Sequence, residues 1–139
     1  MRKTTILMMI AVTLGFSGCK SNSGDKAQLT ANEWQLKEMT TTKGKTTLPQ
    51  RVPTLMLTDT NTMYGFSGCN RFFGRYSTEG NTIKLEPGGS TMMACPDMEI
   101  EDAILKAMGN VKGVKAGQSE NEMLLVDADG NVLMVLSKN

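Results

Sequence analysis

The chain of 139 residues contains no histidine at all. That absence removes the base of Ser-His-Asp and Cys-His nucleophile activation and the commonest zinc ligand. Cysteine is scarce as well, at three, and none of the three forms the C-x-x-C spacing of a thiol oxidoreductase. No glycine-rich phosphate loop is present. The apolar stretch from Ile6 to Leu14 is too short to cross a hydrocarbon core as a helix, which takes about 20 residues. Charge is nearly balanced, with 15 basic and 14 acidic side chains. No basic block or aromatic-basic interleaving points to nucleic acid, and none suggests a polybasic membrane patch.

What the N-terminus does contain is a basic start (Arg2, Lys3), that apolar stretch, and a small-residue approach (Ser17, Gly18) to Cys19, the layout of an export signal. Phe16-Ser17-Gly18-Cys19 resembles a lipobox, the site at which a bacterial lipoprotein precursor is acylated on the thiol and cut in front of it. Phe16 stands where leucine, valine or isoleucine is commoner. The reading is a signal peptide over residues 1–18, a lipid-bearing Cys19, a polar tether over 19–28, and one domain over 29–139. Two or three acyl chains hold a protein stably on a membrane where one does not. Lys20, rather than aspartate, after the cysteine is what sorting to the outer membrane of a diderm bacterium allows. Loss of Arg2 and Lys3 leaves thirteen basic side chains against fourteen acidic.

Lipidation of Cys19 uses the odd cysteine and leaves Cys69 and Cys95 as a candidate disulfide. Closing the loop between them, roughly 27 residues, would restrict the unfolded chain by about 3.5 kcal/mol in the loop-entropy model.

From Trp34 to Leu85 apolar and polar residues alternate in short runs, the pattern of antiparallel strands with one buried face. Phe72, Gly74 and Tyr76 fall on one face of such a run, opposite Arg71, Phe73 and Arg75. Asp59-Thr60-Asn61 and Glu79-Gly80-Asn81 supply turns. Further runs cover Val111 to Ala116, Met123 to Val126 and Val132 to Leu136, the last two joined through an Asp129-Gly130 hairpin signal. Between them Met98, Ile100, Ile104, Leu105 and Met108 recur at helical spacing. Asp97 is placed to cap this helix, Glu99 and Glu101 to favour its N-terminal dipole, and Gly109 to stand just past its end. About seven strands and one helix predict a mainly β fold, an antiparallel β-meander barrel or half-barrel with the helix after Cys95 covering an open end or edge. The alternative is a two-layer α+β domain.

Two segments remain: Gly65-Phe66-Ser67-Gly68-Cys69-Asn70-Arg71-Phe72-Phe73-Gly74-Arg75-Tyr76, and Met93-Ala94-Cys95-Pro96 before the helix. They resemble the META domain family, which includes HslJ-like envelope lipoproteins. The pattern G-x-x-G-C-N-x-x-x-G-x-Y is matched at Gly65, Gly68, Cys69, Asn70, Gly74 and Tyr76, and M-A-C-P at Met93, Ala94, Cys95 and Pro96. The resemblance runs from about Leu29 to Ser137. It implies a small β-rich domain, carried on membrane-anchored lipoproteins and associated with heat-shock and novobiocin-type antibiotic resistance, and it brings no catalytic residues.

The residues themselves support a structural account first: glycines for bulges and close backbone approach, Asn70 for a left-handed turn, and Cys69 within reach of Cys95 at the foot of the helix. The functional alternative gathers Asn70, Arg71, Arg75 and Tyr76 into a small polar recess for an anion or peptide. Ser67 misses the G-x-S-x-G elbow at its last position. Asp127, Asp129 and Asn131 place Gly130 fourth where a calcium loop needs glycine sixth. The nine methionines of the mature chain read as core filler, with soft copper ligation the alternative. Taken together these readings expect no enzyme, no metal and no cofactor. They expect a monomeric accessory or binding protein of the cell envelope, attached to the membrane through its N-terminal lipid and acting on an envelope protein or small ligand. Rivals are a thiol redox protein built on Cys69 and Cys95, and a small-ligand carrier using the barrel interior.

Overall fold

The computed structural model describes residues 26–138. Cys19, the signal segment and most of the expected tether lie outside the described residues. The chain begins with a short helix α1 (Lys26–Thr30), followed by strands β1 (Glu33–Thr41), β2 (Gly44–Lys45), β3 (Thr54–Leu57), β4 (Thr62–Phe66), β5 (Arg71–Glu79) and β6 (Thr82–Ser90). Helix α2 (Glu99–Asn110) then precedes β7 (Gly113–Ala116), β8 (Glu122–Val126) and β9 (Val132–Lys138). Lys26 to Gln28, assigned above to the tether, are therefore helical, and Leu29 behind them is buried.

Every strand from β3 to β9 pairs antiparallel with the next, and β1 pairs with both β3 and β9. The sheet thus closes on itself as a barrel of eight strands, and β2 hangs from the far end of β1 outside the ring. Closure pairs backbone groups that an open sheet would leave at its edges. Short turns permit it: Asn61, with φ 63°, reverses the chain between β3 and β4, and Asp127 Oδ1 accepts the N–H groups of Asp129 and Asn131 between β8 and β9. The Asp127-to-Asn131 segment is a hairpin turn stabilised by its own carboxylate.

Alternation fills the barrel. Trp34 and Leu36, Leu55 and Leu57, Phe72 and Tyr76, Ile83 and Leu85, and Met123 and Leu125 all point inward and are buried. Trp34 satisfies its indole N–H on the carbonyl of Leu29 at 3.0 Å. Leu29, in α1 and at 1% exposure, is thereby held against the core. An interior gap of about 10 Å³ lies among Leu36, Leu55, Ile104 and Met134, room for about one water. Around that gap the interior of the barrel is filled by the buried side chains.

One seam is weak. β6 and β7 share a single paired position, Thr82 with Gly113, because the chain leaves the sheet between them to form α2. The helix packs against β6 with Ile100, Ile104, Ala107 and Met108 turned into the core, a stripe at the spacing of one helical face. Its ends differ from the expectation. Met98 occupies the N-cap without a side-chain bond, and Asp97 Oδ1 instead accepts the Glu99 N–H at 3.0 Å from one residue further out. The helix also runs through Gly109 to Asn110 and stops at Val111, whose buried side chain and extended backbone lead directly into β7.

Candidate functional site

The glycine-rich motif occupies the turn from β4 into β5 and the first half of β5. Gly65 lies where a Cβ would sit 2.0 Å from the Thr54 carbonyl oxygen and 2.9 Å from the Phe72 ring. Gly74 stands at the register shift between β5 and β6, 2.3 Å by the same measure from the Glu86 carbonyl oxygen. Gly68 has φ +116°, and a Cβ there would meet Ile100 Cγ2 at 2.7 Å. The left-handed residue of the turn is therefore Gly68 and not Asn70, since Asn61 is the one described non-glycine residue with positive φ.

Asn70 has a different task. At 2% exposure it spends its whole side-chain amide on the protein: Oδ1 accepts from Met93 N at 2.7 Å and Thr91 Oγ1 at 2.8 Å, while Nδ2 donates to Met93 O at 3.0 Å and Glu101 Oε1 at 2.9 Å. It splices the motif to the segment before α2 as a strand would, but with one residue. The Cys69–Cys95 disulfide closes the same junction, with the two Cα atoms 6.0 Å apart. Met93, Ala94 and Pro96 of the second motif are the exposed outer side of this splice.

Glu101 completes it and was not foreseen as a core residue. Its helical position reads as a dipole partner open to water, yet it is 4% exposed. Oε2 accepts from Asn70 N at 2.7 Å, Ser67 Oγ at 2.8 Å and Cys69 N at 3.3 Å. Burial pushes the carboxyl up, but the hydrogen bonds from Asn70, Ser67 and Cys69 together outweigh it and hold the group below its ordinary range. Among the described residues no cation pairs with it; peptide and side-chain dipoles, with the N-terminal turn of α2, carry the balance. The available signal was a glutamate spaced with Ile100 and Ile104, whose meaning depends on knowing what packs above it.

The expected polar recess is divided by the barrel wall. Asn70 and Tyr76 face inward. Tyr76 donates its phenol to the Thr58 carbonyl, and burial, then the Asp59 charge, push that phenol up. Arg71 and Arg75 face outward. Arg71 does line a cleft of about 210 Å³ on the outer surface, with Glu33, Arg51, Tyr64 and Phe66. Arg75 does not. The Arg51 guanidinium lies 4.0 Å from the centre of the Phe66 ring, within cation–π range. This cleft draws Arg51 and Glu33 from distant parts of the chain, and nothing in their local sequence marks them.

The inner cluster is a clamp: each buried side-chain nitrogen and oxygen among the described residues has a hydrogen-bond partner, and a carboxylate whose lone pairs are taken by its own protein is poorly placed to accept a proton from a substrate. The fold and this clamp together define a small helix-sealed antiparallel barrel whose sequence motif is spent on joining β5 to α2. The chain belongs to the META domain family, whose sequence model matches residues 27–139. Among solved structures it is similar to a protein from Burkholderia xenovorans determined by NMR, with 24% identity, TM-score 0.65, and 100% of this chain and 99% of that chain covered. It is also similar to a DUF4847 family protein from Bacteroides vulgatus, with 11% identity, TM-score 0.59, and 80% and 94% covered. These likenesses concern the fold. Comparison with curated proteins finds no match.

Proposed function

We propose that this chain is a lipid-anchored accessory protein of the bacterial cell envelope, without catalytic activity, whose META domain supports the envelope under heat or antibiotic stress of the novobiocin type. The observation that carries the reading is the export signal ending in Phe16-Ser17-Gly18-Cys19 on a chain whose other two cysteines pair with each other. A disulfide suits an oxidising compartment, and the odd thiol then stands at the one place where acylation and anchoring would use it. The domain offers a rigid body for binding: a filled interior, a satisfied polar clamp, and a cleft on its outer wall. An outer-membrane address follows from Lys20 by the diderm sorting pattern. In that setting the domain acts as a monomer on an envelope protein or a small ligand.

The test is metabolic labelling of the native host with an alkyne palmitate analogue. Label is expected on the wild-type protein and absent from Cys19→Ala, with the protein shifting from the membrane to the soluble fraction. Deletion of the coding sequence should then lower survival on heating and on novobiocin, restored by wild type and not by Cys19→Ala. Label in the absence of Cys19, or unchanged survival in the deletion strain, sinks the respective half of the proposal.

A further inference from the structure

Among the described residues five large apolar side chains are well exposed, Val52, Tyr64, Phe73, Met92 and Met93, the last three at 61%, 96% and 57%. They do not scatter. Val52 and Tyr64 line the outer cleft with Arg51 and Arg71. Phe73 is the cross-strand partner of Tyr64. Thr91 exchanges backbone and hydroxyl bonds with Arg71, so Met92 and Met93 emerge beside it, and Asn70 holds the Met93 backbone in place. The same outer face carries all three arginines that follow the signal segment, Arg51, Arg71 and Arg75. None of them is in an ion pair among the described residues. The acids nearby are Glu33, in the cleft, and Glu86, opposite Arg75 and bonded to Lys84 at 2.6 Å. Contiguous apolar exposure threaded with arginine marks a contact surface and not an ordinary solvated wall.

The chain's attachment indicates what covers it. Lys26 Nζ donates to Asp59 O and Asn61 Oδ1, both at 2.6 Å, at the turn into β4. Thr62, just after that turn, pairs with Arg75. The domain therefore starts at one end of this face. Only six residues lie between Cys19 and Lys26, seven steps of chain that span at most about 25 Å, whereas Arg75 to Arg71 covers about 14 Å of strand. A membrane anchored at Cys19 lies within reach of the entire face. Arginine, tyrosine, phenylalanine and methionine at one level are also what an interfacial surface on anionic lipid presents.

We infer that the outer face of β4 and β5, with Arg51, Arg71, Arg75, Tyr64, Phe73 and Met92, docks flat on the anionic lipid surface in which Cys19 is anchored. The geometry of the tether makes this inference rest on lipidation at Cys19, but the face can be tested without the lipid.

The mature chain, residues 19–139 with Cys19→Ala, is mixed with vesicles of phosphatidylcholine containing 30% phosphatidylglycerol and with pure phosphatidylcholine vesicles, and binding is read by flotation. Binding is expected to the anionic vesicles alone, to weaken as salt is raised, and to fall by more than about tenfold in Arg51→Glu/Arg71→Glu/Arg75→Glu. Reversal of Lys106 on α2, Lys112 just before β7 and Lys115 in β7 should leave it intact. Met92→Asp, at a side chain too exposed to affect folding, should weaken it on its own. Absence of binding to anionic vesicles, or binding that the arginine and Met92 variants leave unchanged, overturns the inference. A photocrosslinker at position 73 in intact cells that yields one protein adduct, with no vesicle binding, assigns the face to an acidic protein partner and overturns it too. Failure of palmitate labelling, in contrast, would refute the anchor while leaving the vesicle result to stand on its own.

Discussion

Glu101 shows how far a residue's meaning depends on its surroundings. Its carboxylate holds Ser67, Cys69 and Asn70, and its pKa in the folded state lies below the ordinary value of 4.5. The unfolded chain therefore takes up a proton first as pH falls. Stability from this group is fully present above about pH 4.5 and is lost as pH drops through the lower folded value. Urea midpoints measured between pH 7 and pH 3 should decline at the acid end, with the part due to this group missing in Glu101→Gln. At pH 7 that variant should be less stable by about 2 kcal/mol, because an amide turns a donor toward donors that lose their acceptor. At Gly65 the constraint is space. Gly65→Ala puts a methyl group into the Thr54 carbonyl, and a loss of about 3 kcal/mol in denaturant titration is expected. A variant as stable as wild type would mean that β3 and β4 can part at little cost.

At the scale of elements, α2 and the β6–β7 seam belong together, since the chain leaves the sheet there to form the helix. β6 and β7 share one paired position, held by the bonds from Ile83 N to Lys112 O and from Val114 N to Asn81 O, so the ring is thinnest where the chain leaves it for α2. Ile104→Ala should cost about 3 kcal/mol. Hydrogen exchange should show the loss first in β7 and in the last turns of α2, with β4 and β5 protected until global unfolding. Uniform loss of protection would show that the seam is no weaker than the rest. The strands were legible from alternation: Arg71, Phe73 and Arg75 outward and Phe72 and Tyr76 inward, as observed. The helix was legible from its apolar period. Its limits were not, because Gly109 meets no neighbour that would force a stop, and the chain ends the helix where Val111 must be buried. Helix α1 and β2 were missed altogether. Five and two residues carry no period, and they form because Trp34 needs the Leu29 carbonyl and because β1 extends beyond the barrel.

For the whole molecule, stability is shared between a filled barrel and a cross-link. Replacing both Cys69 and Cys95 by serine should lower the unfolding free energy by about 3.5 kcal/mol and leave the fold in place, since Asn70 and Glu101 bridge the same junction without covalent help. A circular dichroism spectrum matching wild type, with a lower urea midpoint, is the expected outcome. Collapse of the fold would show that the hydrogen-bonded clamp cannot form before the bond does. Charge at this scale is nearly neutral, which conceals the concentration of Arg51, Arg71 and Arg75 on one wall. An average over the chain has no direction, whereas docking depends on one.

The amino-acid sequence by itself determined the strands and their inward faces, the main helix, the cysteine pair, the family motif and the candidate anchor at Cys19, because periodicity, residue chemistry and spacing are local properties of a chain. Tertiary structure alone decided that the sheet closes, that its interior is full, that Asn70 splices while Gly68 turns, that Glu101 is buried, and that Arg71 and Arg75 stand outside the wall from Asn70 and Tyr76. Those outcomes depend on which distant segment arrives at each site. Glu33, Arg51, Tyr64 and Arg71 meet only because β1, β3, β4 and β5 are neighbours in the closed ring.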